Sequence, residues 1–259
     1  MKYDVQKLGQ MKSNAPIAML TAYTSPVASC LERAGIPVIL VGDTVGMVEM
    51  GFTSTREVTI DHMQYHIGAV RRGAPNTHII GDMPYKTDTD PDTALINARK
   101  LLDAGADSIK LEGPKYDIIS HLVAQGIDVV GHTGLTPQTA MNFKQAGTRE
   151  KDAKRIHDES FGIEKAGVFM LVLEHIPSQL AESITNSVAI PTIGIGAGSA
   201  CDGQVLVIND AIGQGDYWPP FSKQYAHTSK TIEEVAATFA REVQEGKFPD
   251  NILKLNSAG

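Results

Sequence analysis

Apolar residues along this chain gather in short runs separated by polar or glycine-rich punctuation, and the runs recur from one end to the other. Eight of them read as strands: Ile17 to Thr21, Val38 to Val41, His78 to Ile80, Ser108 to Leu111, Asp128 to Val130, Phe169 to Leu173, Thr192 to Ile195 and Gln204 to Val207. Most are near-continuously apolar rather than alternating, which is the pattern of parallel strands buried on both faces. Between them the period lengthens to that of helices. After Asp90, for example, Ala94, Leu95, Ala98, Leu101 and Leu102 share one face, the spacing of an amphipathic helix. Ser25-Pro26, Asp90-Pro91 and Thr136-Pro137 each set a capping side chain before a proline at a first helical position. Ala34-Gly35, Ala104-Gly105 and Ala166-Gly167 place glycine where a left-handed cap ends a helix and a strand follows. Thr231-Ile232-Glu233-Glu234 opens the last helix as a capping box, with Val235, Ala236, Phe239, Ala240 and Val243 expected to face inward.

The repeated unit is therefore helix, glycine, strand, polar residue. Eight such strands in one chain of 259 residues predict an α/β fold of the (β/α)8 barrel type rather than an open doubly wound sheet. No Pro/Ser-rich linker divides the sequence, so residues 1–259 are expected to form one domain, with an N-terminal extension up to about Pro16 and a C-terminal helix. Thr44 to Val58 and Thr133 to Glu150 exceed ordinary loop length, as active-site lids often do.

Charge narrows the function classes. A formal net charge of −7 without a basic run argues against nucleic acid or an anionic membrane surface as the partner. No apolar stretch approaches the ~20 residues of a membrane helix, and Met1-Lys2-Tyr3-Asp4-Val5-Gln6-Lys7 lacks the apolar core of a signal peptide. Two cysteines, Cys30 and Cys201, give no disulfide framework, and a cytoplasmic location is expected.

In a barrel the residues just past the strands' C-terminal ends converge on one mouth. Here those are Tyr23, Asp43, Asp82, Glu112, His132, Glu174, the run Gly194-Ile195-Gly196-Ala197-Gly198, and Asp210. Carboxylates following the second, third and fourth strands stand side by side, which is costly unless a cation or shared protons compensate. An all-oxygen set of this size matches Mg²⁺, and zinc spacing is absent. Lys110 lies two residues before Glu112, so both side chains point the same way. Glu174 directly follows the apolar run Val168 to Leu173, a setting that suits a general base. Taken singly, each has an ordinary structural reading: a strand-end acid caps the next helix, Lys110 pairs with Glu112, and His132 is a hydrogen-bonded core histidine. The glycine run could cradle a phosphate, form a tight turn or make room for a flat ligand.

Seven segments carry a closer resemblance: Val41-Gly42-Asp43-Thr44-Val45-Gly46-Met47, Ala69-Val70-Arg71-Arg72-Gly73-Ala74-Pro75, Gly81-Asp82-Met83-Pro84, Lys110-Leu111-Glu112-Gly113, Gly131-His132-Thr133-Gly134-Leu135-Thr136-Pro137-Gln138, Leu173-Glu174-His175-Ile176-Pro177 and Gly194 to Gly198. In this order the chain resembles the ketopantoate hydroxymethyltransferase family over about residues 5 to 250. The resemblance implies a barrel enzyme of pantothenate synthesis. Such an enzyme moves a one-carbon unit from 5,10-methylenetetrahydrofolate onto 3-methyl-2-oxobutanoate through a Mg²⁺-stabilised enolate, giving 2-dehydropantoate. It also implies a homodecamer built as a pentamer of dimers. Carried over by motif, Asp43, Asp82 and Glu112 surround Mg²⁺, Asp43, Thr44, Asp82 and Lys110 contact the keto acid, and Glu174 accepts the proton.

The sequence departs from the family pattern at several points. Thr44 stands where Ser is usual, Thr24 where Asp is usual and His175 where Cys is common, while the loop after Gln138 lacks the usual Gly-Gly-Tyr-Lys run. Two other readings fit the same fold: a Mg²⁺-dependent 2-oxo acid carbon–carbon lyase of the phosphonopyruvate or isocitrate lyase type, and an inactive paralogue serving as a scaffold. The intact Asp43, Asp82, Lys110, Glu112 and Glu174 oppose the second.

Overall fold

The computed structural model of the chain describes residues 2–249. Its elements alternate as the pattern predicts: α1 (Val5–Gln10), β1 (Ile17–Thr21), α2 (Ser25–Arg33), β2 (Val38–Val41), α3 (Val45–Val48), α4 (Ile60–Gly73), β3 (His78–Asp82), α5 (Pro91–Asp103), β4 (Ser108–Lys110), α6 (Tyr116–Ala124), β5 (Val129–Gly134), α7 (Glu150–Lys165), β6 (Met170–Glu174), α8 (Ser178–Ser187), β7 (Thr192–Ile195), β8 (Gly203–Leu206), α9 (Ile208–Ile212) and α10 (Thr228–Gln244). The eight strands are parallel and close into a barrel in sequence order. At the closing seam Ile17 of β1 stands opposite Gly203 of β8. A Cβ on Gly203 would lie 2.3 Å from the Ile17 carbonyl oxygen, so only glycine lets the two strands meet there.

Inside the barrel, Ile17, Met19, Val38, Leu40, Ile80, Val130, Met170, Val172, Ile193 and Val205 form one core cluster. The N-terminal extension joins it. Asp4 caps α1 by accepting the Lys7 N–H at 2.8 Å, and Leu8 is fully buried in the same cluster. Burial of one such leucine is worth roughly 1.5–3 kcal/mol, so the extension closes one end of the barrel.

Helix ends follow the punctuation in part. Gly35, Gly105 and Gly167 have φ of 79°, 119° and 105° and end α2, α5 and α7 as left-handed caps. Asp90 accepts the Thr93 N–H at 2.9 Å at the start of α5. Ser25, in contrast, is the first residue of α2, and its cap position Thr24 makes no side-chain bond. Thr136-Pro137 yields only a turn, in which Thr139 and Ala140 both donate to the Thr136 carbonyl. The long segment after β2 is also not all loop: it holds α3 and a 3₁₀ turn over Thr55–Glu57.

The chain divides into two compact units, one running to Ile208 and containing the barrel, the other starting at Asn209. In the second unit α10 begins at Thr228, ahead of the expected capping box, and Thr231 instead donates to the His227 carbonyl. Its apolar stripe is not turned inward: Ile232, Val235, Phe239 and Val243 are all exposed. Among the described residues no helix is long and apolar enough to cross a membrane.

Candidate active site

Parallel pairing places the C-terminal ends of β2, β3 and β4 side by side, and each carries an acid to the same mouth. Asp43 follows β2, Asp82 ends β3 and Glu112 follows β4. All three are buried, with 6%, 2% and 5% of their surface exposed. Lys110, the last residue of β4, donates from Nζ to Asp82 Oδ1 at 2.7 Å, and the Asp43 backbone N–H donates to Asp82 Oδ2 at 3.2 Å. The lysine therefore neutralises Asp82, not Glu112. Burial draws the Lys110 pKa down, but the charges of Asp82, Asp43 and Glu112 outweigh it and hold the ammonium above its ordinary range.

The other two acids have no cation of their own. Burial, reinforced by the Asp82 charge, pushes Asp43 up to about 7 against the opposing pull of Lys110 and Gln138. Burial pushes Glu112 up to about 9, with Lys110 again opposing and the neighbouring acids adding to the rise. Buried like charges of this kind are stabilised by an added cation. Among the described residues no three His, Cys, Asp or Glu side chains close into a ready-made cage. The donor set is all oxygen with few protein ligands, which fits a hard divalent ion that keeps several waters.

His132 lies on β5, buried between two acids: its Nδ1 is 3.6 Å from Glu112 Oε2 and its Nε2 is 3.2 Å from Glu174 Oε2. Glu174 ends β6, opposite Gly134 of β5, and is the most open of the group, its side chain 18% exposed. A Cβ on Gly134 would come within 2.3 Å of the Glu174 carbonyl oxygen, and its φ is 101°. Glycine at 134 thus lets β5 run close beside the residue that carries the carboxylate. Thr44 begins α3 with no side-chain capping bond. Tyr23, fully buried after β1, has its phenol pushed up by burial, with Asp43 adding to the rise.

The structure thus brings Asp43, Asp82, Lys110, Glu112, His132 and Glu174 to one end of the barrel. Asp210 lies in the second unit, where burial pushes it up to about 6. The glycine run after β7 is a tight turn: Gly196 and Gly198 are left-handed, and Gln204 Nε2 donates to the Gly198 carbonyl at 2.9 Å.

Sequence reading missed one member of the site. Gln138, 2% exposed, donates from Nε2 to Asp43 Oδ2 at 2.9 Å and to the Met83 carbonyl at 2.8 Å, and its backbone N–H donates to Glu112 Oε1 at 2.8 Å. Its only signal was its place at the end of the Gly131 to Gln138 motif, since a polar residue in a loop gives no periodicity.

A groove of about 360 Å³ lined by Tyr116, Lys151, Lys154, Arg155, Asp158 and Glu159 lies outside this mouth. Its charges are largely paired already, Lys154 with Asp158 and Arg155 with Glu159 and nearby Asp152. Asp43 and Glu112, at the barrel mouth, have no such basic partner among the described residues.

The family model described as ketopantoate hydroxymethyltransferase matches residues 2–251. A relative from Ignicoccus hospitalis is 42% identical over 252 residues, covering 95% of each chain. One from Thermus thermophilus is 44% identical over 240 residues, 90% of this chain and 92% of the relative. One from Halalkalibacterium halodurans is 45% identical over 253 residues, 95% and 90% respectively. All three are named 3-methyl-2-oxobutanoate hydroxymethyltransferase. Among solved structures, a phosphonopyruvate hydrolase superposes with a TM-score of 0.65 at 13% identity, over 97% of this chain and 90% of that one. A 2,3-dimethylmalate lyase does so with a TM-score of 0.61 at 13% identity, over 97% and 92%. At such identity these two show the shared fold alone.

Proposed function

The chain belongs to the ketopantoate hydroxymethyltransferase family, and from that premise we propose that it transfers a hydroxymethyl group from 5,10-methylenetetrahydrofolate to 3-methyl-2-oxobutanoate, giving 2-dehydropantoate. The observation that carries this reading is the buried set Asp43, Asp82, Lys110 and Glu112 at the same barrel end as Glu174. Such a set has the charge to take a divalent cation with a 2-oxo acid, and a separate carboxylate to take a proton.

In this reading Asp43, Asp82 and Glu112 would hold Mg²⁺, which when bound would supply Lewis-acid stabilisation of negative charge on the keto oxygen. Asp43, Thr44, Asp82 and Lys110 orient the keto acid. The Lys110 ammonium, held in place by Asp82 at 2.7 Å, adds positive charge where the enolate develops. Glu174 Oε2 takes the proton from C3, and His132 Nε2, 3.2 Å from that oxygen, faces the same carboxylate. C3 then bonds to the methylene carbon, both carbon–nitrogen bonds of the folate bridge break, and water supplies the hydroxyl. The proton taken by Glu174 and the one left by water pass to the two nitrogens, releasing tetrahydrofolate. Asp43 and Glu112 are buried with raised pKa values, and they would hold a cation as carboxylates, so its binding would be linked to proton release.

The test is direct: protein, Mg²⁺, 3-methyl-2-oxobutanoate and 5,10-methylenetetrahydrofolate are mixed and the products followed by mass spectrometry. 2-Dehydropantoate formed only with folate and Mg²⁺ is expected. Cleavage of a 2-oxo acid without folate would favour the lyase reading instead. The family's pentamer of dimers belongs to the same proposal, and light scattering of the purified protein should give the mass of ten chains.

A further inference from the structure

Gln138 and Arg56 belong to two different long loops, yet they are joined. Arg56 lies in the 3₁₀ turn of the segment between β2 and α4. It donates from Nε to the Gln138 carbonyl at 2.7 Å and from Nη2 to the Ala140 carbonyl at 3.1 Å. Its guanidinium also lies 5.5 Å from the ring centre of Tyr85, in the segment after β3. Gln138 spends both amide hydrogens, on Asp43 and on the Met83 carbonyl, and its backbone N–H on Glu112. The Met83 carbonyl is an acceptor only, so the amide orientation is fixed: nitrogen must face the acids. The Arg56 guanidinium, with the carboxamide and backbone N–H of Gln138, thus binds together the segments following β2, β3, β4 and β5.

Beyond this anchor the loop is open. Met141 is 99% and Phe143 61% exposed, and the chain is next held where the Ala146 N–H donates to the His175 carbonyl at 3.0 Å. The two acids that Gln138 grips, Asp43 and Glu112, are the two without a lysine of their own.

We propose that Arg56 and Gln138 are positioning residues that clamp Asp43 to Glu112 and thereby set how tightly the site takes a divalent cation, coupling that affinity to the order of loop 135–149. The proposal rests on the cation reading above. Arg56 touches only backbone carbonyls and an aromatic face there, so its effect must pass through the clamp and not through ligation. Outer partners of metal ligands typically change affinity by about 10–100-fold when removed.

The test is Mn²⁺ binding to the intact protein, followed by the electron paramagnetic resonance signal of free Mn²⁺, with circular dichroism confirming the fold of each variant. Gln138→Met, which keeps the volume and the backbone N–H but not the two side-chain donors, should weaken Mn²⁺ binding by about 10–100-fold. Arg56→Ala should weaken it by roughly the lower end of that range, with Arg56→Lys recovering part of the loss. Hydrogen exchange of amides 139–145 should quicken in Arg56→Ala, and saturating Mg²⁺ should restore most of its turnover. Wild-type affinity in both Gln138→Met and Arg56→Ala would overturn the clamp while leaving the cation site standing. A wild-type protein that takes up no Mn²⁺ would overturn both.

Discussion

Two pairs of carboxylates at opposite ends of the barrel are treated in opposite ways. At the N-terminal end Asp107 precedes β4 and Asp202 precedes β8, and each is matched. Asp107 receives Lys2 Nζ and Arg71 Nη2, both at 2.5 Å, and the Ile79 N–H at 2.8 Å. Asp202 receives Lys12 Nζ and the Thr192 N–H, both at 2.9 Å. Burial alone would raise both, but these donors win and hold both below the ordinary carboxylate range. At the C-terminal end burial wins instead, and Asp43 and Glu112 sit at about 7 and about 9. The first pair is satisfied by the fold. The second is left for something the fold does not supply, and that contrast locates the chemistry more firmly than any groove on the surface.

The contrast can be broken most severely at the base. Glu174→Gln should cut turnover by about 10²–10⁴, while calorimetry should find keto acid binding nearly intact. Near-normal turnover would remove Glu174 from the role. Next comes Asp82→Ala. It should abolish Mg²⁺-dependent keto acid binding and strand the Lys110 ammonium, at a cost of about 3–5 kcal/mol in urea unfolding, the usual penalty for a buried charge left without its partner. Unchanged keto acid affinity in Mg²⁺ would contradict the ligand assignment.

pH should pull the two pairs in opposite directions. Asp43 and Glu112 have folded pKa values above their unfolded ones, so their contribution to stability is fully present below the ordinary carboxylate range and is lost as pH rises through about 7 and about 9. Asp107 and Asp202 have depressed values, so their contribution is present above that range and lost as pH falls through their folded values. Thermal melts without Mg²⁺ should therefore weaken toward pH 9 as well as toward acid, and Mg²⁺ should remove the alkaline loss alone. A melting temperature that is flat from pH 6 to 9 without Mg²⁺ would contradict the raised values.

Smaller effects belong to charges that are already matched. Asp107→Ala should cost about 1–3 kcal/mol through lost partners, with activity per folded molecule unchanged. Lys154→Ala, whose partner Asp158 is 60% exposed, should shift stability by no more than about 1 kcal/mol, the range of a surface pair.

The barrel was legible because parallel strands buried on both faces read as apolar runs, and β1, β2 and β7 fall where those runs lie. β3 and β5 run further than their apolar cores. Gly81-Asp82 and Gly131 to Gly134 look like loop by composition, but the ladders with β4 and β6 carry them on. Such pairing is a property of the neighbour and leaves no mark in the strand itself. The acids, Lys110 and Glu174 were legible from their place at strand ends. Which acid Lys110 pairs with was not, since alternation fixes the face and not the partner across the sheet. For the same reason Gln138 left only its place in a motif as a signal, and Arg56 left none. Their roles arise where loops from separate strands meet. The α10 stripe shows the converse limit, for an amphipathic pattern states that a face is apolar and not that this chain covers it.

The most direct measurement is proton NMR of 3-methyl-2-oxobutanoate in D₂O with the protein and Mg²⁺, with and without tetrahydrofolate, following the C3 proton. The acid cluster and Glu174 predict loss of that signal, dependent on Mg²⁺ and absent in Glu174→Gln. A C3 signal that persists under both conditions, or that disappears equally in Glu174→Gln, would contradict the assignment of the mouth acids and of the base.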